Sequence, residues 1–265
     1  MEPEEAIRND LREVTKKSSR YQARAIVINC LIWVSITYTS MIASFVFMNP
    51  LIECGGKPAV EHEACPHLKE CIFTNDFTAT YAEGLYCEHE EARLLIQSVF
   101  PFGCFIGLLF LPLLGDWVGR RPALLTGIIL EIVGILILLA GLNHHDNILI
   151  ALGHFVIGIF AAGCSVVTYV VSSDICTDAG RQGSMMLYNA VWGLAEVSFY
   201  WIFNYLPNWY DYLLYFVTIP AFLTLLLVYF FLDETPYFYL IIQKSNEKYD
   251  LTMRRIAQVN SLSLA

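Results

Sequence analysis

The stretch Leu114–Pro122, Leu-Gly-Asp-Trp-Val-Gly-Arg-Arg-Pro, sets one acid and two adjacent arginines between two long apolar runs. The run before it, Leu94–Leu114, and the run after it, Ala123–Leu142, each match the roughly 20 residues that a membrane-spanning helix needs. So short a polar interval forces both helices to emerge on one face of a bilayer, with Arg120 and Arg121 marking that face. Gly119 can supply a bend with positive φ. Pro122 suits the first turn of the following helix, where its missing N–H would have no partner anyway. With 56% of its 265 residues apolar, the chain is too hydrophobic for an ordinary soluble domain. The expectation is an all-α, polytopic integral membrane protein.

Six spans are predicted: Ala25–Met48, Leu94–Leu114, Ala123–Leu142, Asn147–Val171, Ser184–Leu206 and Tyr212–Leu232. Asn49-Pro50 ends the first, because the residue before proline is pushed out of the helical region. The chain then divides into a basic lead over residues 1–24, a six-helix bundle over 25–232 and a polar tail over 233–265. The lead is charged throughout, unlike a secretory signal, and its opening Met-Glu-Pro-Glu-Glu is too acidic for a typical transit peptide. The lead, the connections between spans two and three and between four and five, and the tail hold 13 of the 16 lysines and arginines. By the positive-inside rule, both ends of the bundle then share the inner side. That side is the cytosol for a plasma-membrane protein, or the matrix for one of the inner mitochondrial membrane. The formal charge of −9 reflects an acidic outer loop and points to no nucleic-acid partner.

That loop, residues 49–93, carries nine acids, three bases and the four cysteines Cys54, Cys65, Cys71 and Cys87. An even set on the non-cytosolic face points to two disulfides, with three possible pairings. Zinc is the rival reading, given His62, His67 and His89 nearby, although Cys-x-x-Cys spacing is missing. No Asn-x-Ser/Thr sequon occurs. Cys30, Cys104, Cys164 and Cys176 read as small apolar side chains.

Two acids fall at bilayer depth, Glu131 in the third span and Glu196 in the fifth, where a charge costs several kcal/mol. Asn189, Gly193, Tyr200 and Asn204 recur around Glu196 at helical spacing, and Asn29, Trp33, Thr37, Ser40 and Ser44 make a similar stripe on the first span. The bland reading of these stripes is hydrogen bonding between helices. The sharper one is a solute cavity lined by Asn29, Trp33, Thr37, Glu131, Asn189, Glu196 and Tyr200. Glu131 lacks polar companions one turn away, which favours pairing or protonation for it. His154 reads as a hydrogen-bonded core residue, with a proton relay as the alternative. Gly103 with Gly107, and Gly158 with Ala162, permit close helix approach. The spans hold no metal-ligand cluster, nucleophile–base set or phosphate-cradling loop, so neither enzymatic chemistry nor a cofactor is indicated.

Three stretches resemble signatures of the major facilitator superfamily and, within it, of the organic cation and carnitine transporters. Gly115–Arg121 is similar to the Asp-Arg-x-Gly-Arg-Arg signature between the second and third helices. Tyr169, Asp174 and Arg181 resemble an acid-to-arginine signature after the fourth. Asp233-Glu234-Thr235-Pro236, with Arg254–Asn260 downstream, resembles the Pro-Glu-Ser-Pro segment and the helix beyond it. The resemblance implies one half of such a transporter, with inner-face gating charges Asp116, Arg120, Arg121, Asp174, Arg181 and Glu234. It implies that they hold the helices together when the cavity opens outward.

Departures accompany the likeness. Pro112 stands at the signature's first glycine and Trp117 at an arginine. Asp174 replaces a glutamate, Asp233 a proline, and Tyr237 the arginine that follows the segment. Such transporters have two six-helix halves around a midplane site, and these residues supply one. A second half, a homodimer or a larger membrane complex would complete it. Two functions follow: carriage of a small organic solute, with Glu196 as counter-charge for an organic cation, or a non-transporting accessory subunit of an assembly such as a mitochondrial respiratory complex.

Overall fold

A computed structural model describes residues 20–176, 178–205 and 208–260. Six rods build the bundle. They are α1 (Arg20–Ser40), α2 (Glu90–Val118), α3 (Arg120–His144), α4 (Asn147–Ile175), α5 (Asp178–Tyr205) and α6 (Ile219–Phe231). A wide helical turn, Ile42–Val46, prolongs α1, and Trp209–Tyr212 with the wide turn Leu213–Thr218 leads into α6. A tail helix, α7 (Asn246–Val259), follows. Five of these rods are long and apolar enough to cross a membrane: α1 with its extension, α2, α3, α4 and α6 with its lead. The sixth, α5, interrupts its apolar surface with polar side chains such as Gln182, Asn189 and Glu196.

The helices outrun the apolar segments that announced them. The polar stretch expected between the fourth and fifth spans is almost wholly helical, because α4 continues to Ile175 and α5 begins at Asp178. Polar residues at the ends of a span can stay helical in the headgroup region, so hydropathy marks the hydrocarbon slab and not the helix end. Of the basic lead, residues 1–19 lie outside the described residues, as do 261–265 of the tail and the side chain of Asn204.

Packing centres on α4, which lies between α2 and α3 along its length, while α1 leans on α4, α5 and α6. The approach of α2 to α4 depends on glycine. A Cβ at Gly103 would fall on the Phe155 carbonyl oxygen, and one at Gly107 on that of Ile159. In lipid, where burial of apolar surface does not drive helices together, such contacts supply the dispersion energy that does.

Both hairpin turns are locally encoded. Gly119, at φ 124°, joins α2 to α3. His145 takes the left-handed conformation and Asp146 caps α4, its carboxylate accepting from the amides of Ile148 at 2.9 Å and Leu149 at 3.3 Å.

Outside the bundle, the acidic loop is a folded module. Its antiparallel sheet runs β2 (Lys57–Ala59), β1 (Ile52–Cys54), β3 (Cys71–Phe73), with Gly55 and Gly56 at positive φ forming the two-residue hairpin. Disulfides join Cys54 to Cys71 and Cys65 to Cys87, which selects one of the three pairings and leaves those thiols no capacity for zinc. Arg93, buried at the start of α2, donates to both Glu61 oxygens at 3.1 and 2.8 Å and to the Leu85 carbonyl at 3.0 Å. On the inner side, the backbone amide of Tyr21 donates to Asn260 Oδ1 at 3.1 Å. The start of α1 and the end of α7 therefore share one face, as the lysine and arginine distribution requires.

Gly103→Ala and Gly107→Ala should each destabilise the bundle by about 1–3 kcal/mol through forced separation of α2 and α4. Gly193→Ala, with open space around its Cβ position, should leave the melting temperature unchanged or slightly raised. Thermal unfolding in detergent monitored by intrinsic fluorescence separates the two cases.

Candidate functional site: an inner charge cluster and an open helix face

At the inner end of the α2–α3 hairpin, one arginine gathers carboxylates from several elements. Arg120 Nη1 donates to Asp116 Oδ1 at 2.6 Å, one turn back across Gly119, and its Nε donates to Asp174 Oδ2 at 3.3 Å, near the end of α4. Thr235 Oγ1 donates to the same Asp174 oxygen at 3.1 Å. The charges differ in setting. Asp116 is largely exposed, with 57% of its side chain open, whereas Arg120 and Asp174 are at 7% and 9%. Water weakens the first pair far more than the second.

Glu234 plays a different part. Its Oε1 accepts from the backbone amide of Arg120 at 2.9 Å and from that of Thr235 at 2.9 Å, and its Oε2 accepts from the amide of Arg121 at 3.1 Å. A carboxylate there satisfies amides that the first turn of a helix leaves without partners, and it meets the positive end of the α3 dipole. Gly119 is required beside it, since a Cβ there would fall on Glu234 Oε2. Burial pushes the Glu234 carboxyl above its ordinary 4.5, opposed by those backbone bonds and by the charge of Arg120. Arg121 turns outward to the Tyr229 carbonyl, with its guanidinium over the Tyr229 ring at 5.9 Å.

The expected gating set is thus gathered in part. Asp116, Arg120, Asp174 and Glu234 converge, and Arg121 joins through its backbone. Arg181 does not pair with Asp174; its Nη2 donates to the Ser173 carbonyl at 3.2 Å. Sequence reasoning missed a second hub beside the first. Asp233 holds Arg24 through Oδ2 and Arg255 through Oδ1, each at 2.9 Å. These residues are far apart in sequence, and only the shared inner ends of the first and last spans could have suggested them.

The expected cavity residues separate into two groups. Asn29, Trp33, Thr37 and Glu131 are buried inside the bundle. Asn29 Nδ2 donates to Tyr188 OH at 3.2 Å and Ser172 Oγ at 3.3 Å, Trp33 Nε1 to Thr168 Oγ1 at 3.0 Å, and Thr37 Oγ1 to the Trp33 carbonyl at 2.8 Å. Ser35 Oγ donates to Glu131 Oε1 at 2.8 Å, tying α1 to α3. Four rings, those of Trp33, Tyr169, Tyr188 and Trp192, meet around the first of these groups.

Asn189, Glu196 and Tyr200 face outward from α5 instead. The rotation of α5 explains the split. Tyr188, Ala195 and Phe199 define the buried edge of α5, and at about 100° per residue Glu196 lies roughly 80° round from the middle of that edge, on the flank that stays exposed. Beside these polar groups the outward face is apolar, with Leu194, Val197 and Trp201 exposed. His154 is buried, with Nδ1 2.7 Å from the Ile96 carbonyl and its ring stacked on Phe100. Among the described residues no cluster of three or more His, Cys, Asp or Glu side chains is placed to hold a metal.

Residues 23–263 match the family described as sugar (and other) transporter. The chain is similar to the low-affinity glucose transporter HXT3 of Saccharomyces cerevisiae, with 30% identity over 39% of this chain and 18% of that protein. It is similar to a solute carrier family 22 member 15-like protein of Xenopus laevis, with 28% identity over 64% of this chain and 34% of that one. The xylose transporter XylE from E. coli, in a partially occluded inward-open conformation, shares the fold. The TM-score is 0.62 at 15% identity, covering 92% of this chain and 56% of that chain. The chain therefore spans little more than half of that transporter and between 18% and 34% of those curated relatives.

Replacing Glu234 tests the cap. Glu234→Gln keeps one accepting oxygen but sets an amide group against a backbone N–H, and should cost about 1–2 kcal/mol. The raised carboxyl means that the folded chain binds its proton more tightly than the unfolded chain. This contribution to stability is present below the ordinary 4.5 and is lost as pH climbs through the raised value. In thermal melts across that interval, the wild-type slope should be visible and the Glu234→Gln slope flattened.

Proposed function

The chain belongs to the sugar (and other) transporter family, within the major facilitator superfamily, and from that premise we propose that it forms one six-helix half of a carrier for small organic solutes. The observation that carries the reading is the outward face of α5. A carboxylate at bilayer depth on an apolar, exposed helix face is too costly to be left to lipid, and it acquires a purpose when a second six-helix bundle closes over it. Glu196 then lines the space between two halves and supplies the counter-charge for a cationic organic solute, with Asn189 and Tyr200 offering hydrogen bonds from the same face. The second bundle can come from the same polypeptide or from another.

The inner cluster fits a gate on that path. Arg120 bridges Asp116 on α2 and Asp174 on α4 through charge-assisted hydrogen bonds. The partly exposed pair with Asp116 is worth little enough to break and reform in each cycle. Glu234 holds the start of α3 to the segment after α6, so that motion at the gate reaches the periphery of the bundle. The buried stripe of α1 keeps a structural part, fixing the helix against α4 and α5.

Uptake in vesicles containing the chain with its second bundle tests this. With tetraethylammonium and glucose as probes, Glu196→Gln should lower cation uptake about tenfold or more, the cost of removing one desolvated counter-charge. It should leave the amount of folded protein unchanged. Cation uptake that is indifferent to the substitution overturns the assignment of Glu196. If neither probe moves and the α5 face is covered by other subunits, the chain is an accessory component of a larger membrane complex.

A further inference from the structure

Between the inner halves of α1 and α6 runs a groove of about 470 Å³, open along one side. Ala23, Val27 and Leu31 form one wall, Leu227 and Phe231 the other, and Arg24 closes the inner end. The walls are almost entirely carbon. From Ala23 to Leu31 the groove follows α1 for about 12 Å, close to the hydrocarbon depth of a single leaflet.

Among the described residues, the charges at the inner mouth do not cancel. Arg24 and Arg255 both bind the one carboxylate of Asp233, so two cations share a single anion. The neighbouring Glu234 is spent on the first amides of α3, with Arg120 beside it. Arg24 keeps 31% of its side chain exposed and Arg255 64%, and Arg254 is exposed as well. An apolar slot nearly one leaflet deep, whose inner end carries two guanidiniums that share one carboxylate among the described residues, has the two halves of a lipid written into it.

We propose that this groove binds one anionic phospholipid of the inner leaflet. An acyl chain lies between α1 and α6, and the phosphate oxygens accept from Arg24 and Arg255, completing the charge balance around Asp233. A zwitterionic headgroup brings its own ammonium to the same mouth and gains less. The site stands whether or not the chain carries a solute, because none of its residues belongs to the inner gate or the α5 face.

Native mass spectrometry of the full chain in detergent reads the site directly, titrating phosphatidylglycerol and phosphatidylcholine with identical acyl chains. Phosphatidylglycerol should bind more tightly. Arg255→Gln, which leaves the Arg24–Asp233 pair in place, should weaken it about fivefold while leaving phosphatidylcholine unaffected, the effect of one basic residue at an anionic surface. Leu31→Trp, which fills the slot and keeps both arginines, should weaken both lipids. Equal affinities for the two lipids, or phosphatidylglycerol binding unchanged in both variants, overturns the proposal. So does inorganic phosphate raising the melting temperature as much as phosphatidylglycerol, which would show a bare anion site with no use for the groove.

Discussion

The fold hangs on a carboxylate meeting a helix end. By accepting from the first two amides of α3, Glu234 joins the α2–α3 hairpin to the segment that follows α6, elements separated by more than a hundred residues. A membrane bundle cannot rely on expelling water to gather its helices, since lipid tails solvate apolar side chains as well as other helices do. Polar closure at the water-facing ends and glycine-mediated contact in the middle do that work here. Gly119 serves the first by leaving room for the carboxylate, and Gly103 and Gly107 serve the second by admitting the backbone of α4.

Much of this was legible beforehand. The Leu114–Pro122 interruption located the hairpin, because a reversal between two apolar runs leaves no other geometry. The lysine and arginine distribution placed both ends together, and an even set of cysteines on the far side announced two disulfides. What stayed hidden was rotational. Glu196 and Asn29 each sit in a polar stripe, yet one stripe faces out and the other is packed away. Periodicity tells which residues share a face and not what that face meets. Tyr188, Ala195 and Phe199 fix the orientation of α5, and their burial draws on distant elements that no local pattern contains: Tyr188 meets Asn29 and Ser172, and Phe199 meets Phe45 and Tyr212.

The ion pairs show the same limit. Arg120 and Asp116 stand four residues apart in the turn itself, so their nearness is readable from the sequence although Gly119 breaks the helix between them. Asp233 with Arg24 and Arg255 depends wholly on the closed bundle, and its aspartate stands where the family resemblance expects proline. A residue that departs from the signature thus makes two ion pairs, while Arg181, which follows the signature, rests on the Ser173 carbonyl and not on Asp174. Agreement with a pattern and possession of the contact are separate matters.

The outer module draws together several helix ends at once. Gln97 on α2 donates to the Phe47 carbonyl beyond α1, Arg93 is locked onto Glu61, and His145 at the α3–α4 tip lies 2.7 Å from Glu83. Two covalent sulfur bridges and a buried arginine form this brace, and mobile ions cannot screen the bridges or readily reach the arginine. At the opposite rim, the Asp233 and Asp116 pairs are wetted and lie within reach of dissolved electrolyte. Ionic strength consequently acts more on the inner pairs than on the sulfur bridges. As salt rises, the wetted inner pairs weaken while the covalent bridges of the outer module hold their shape.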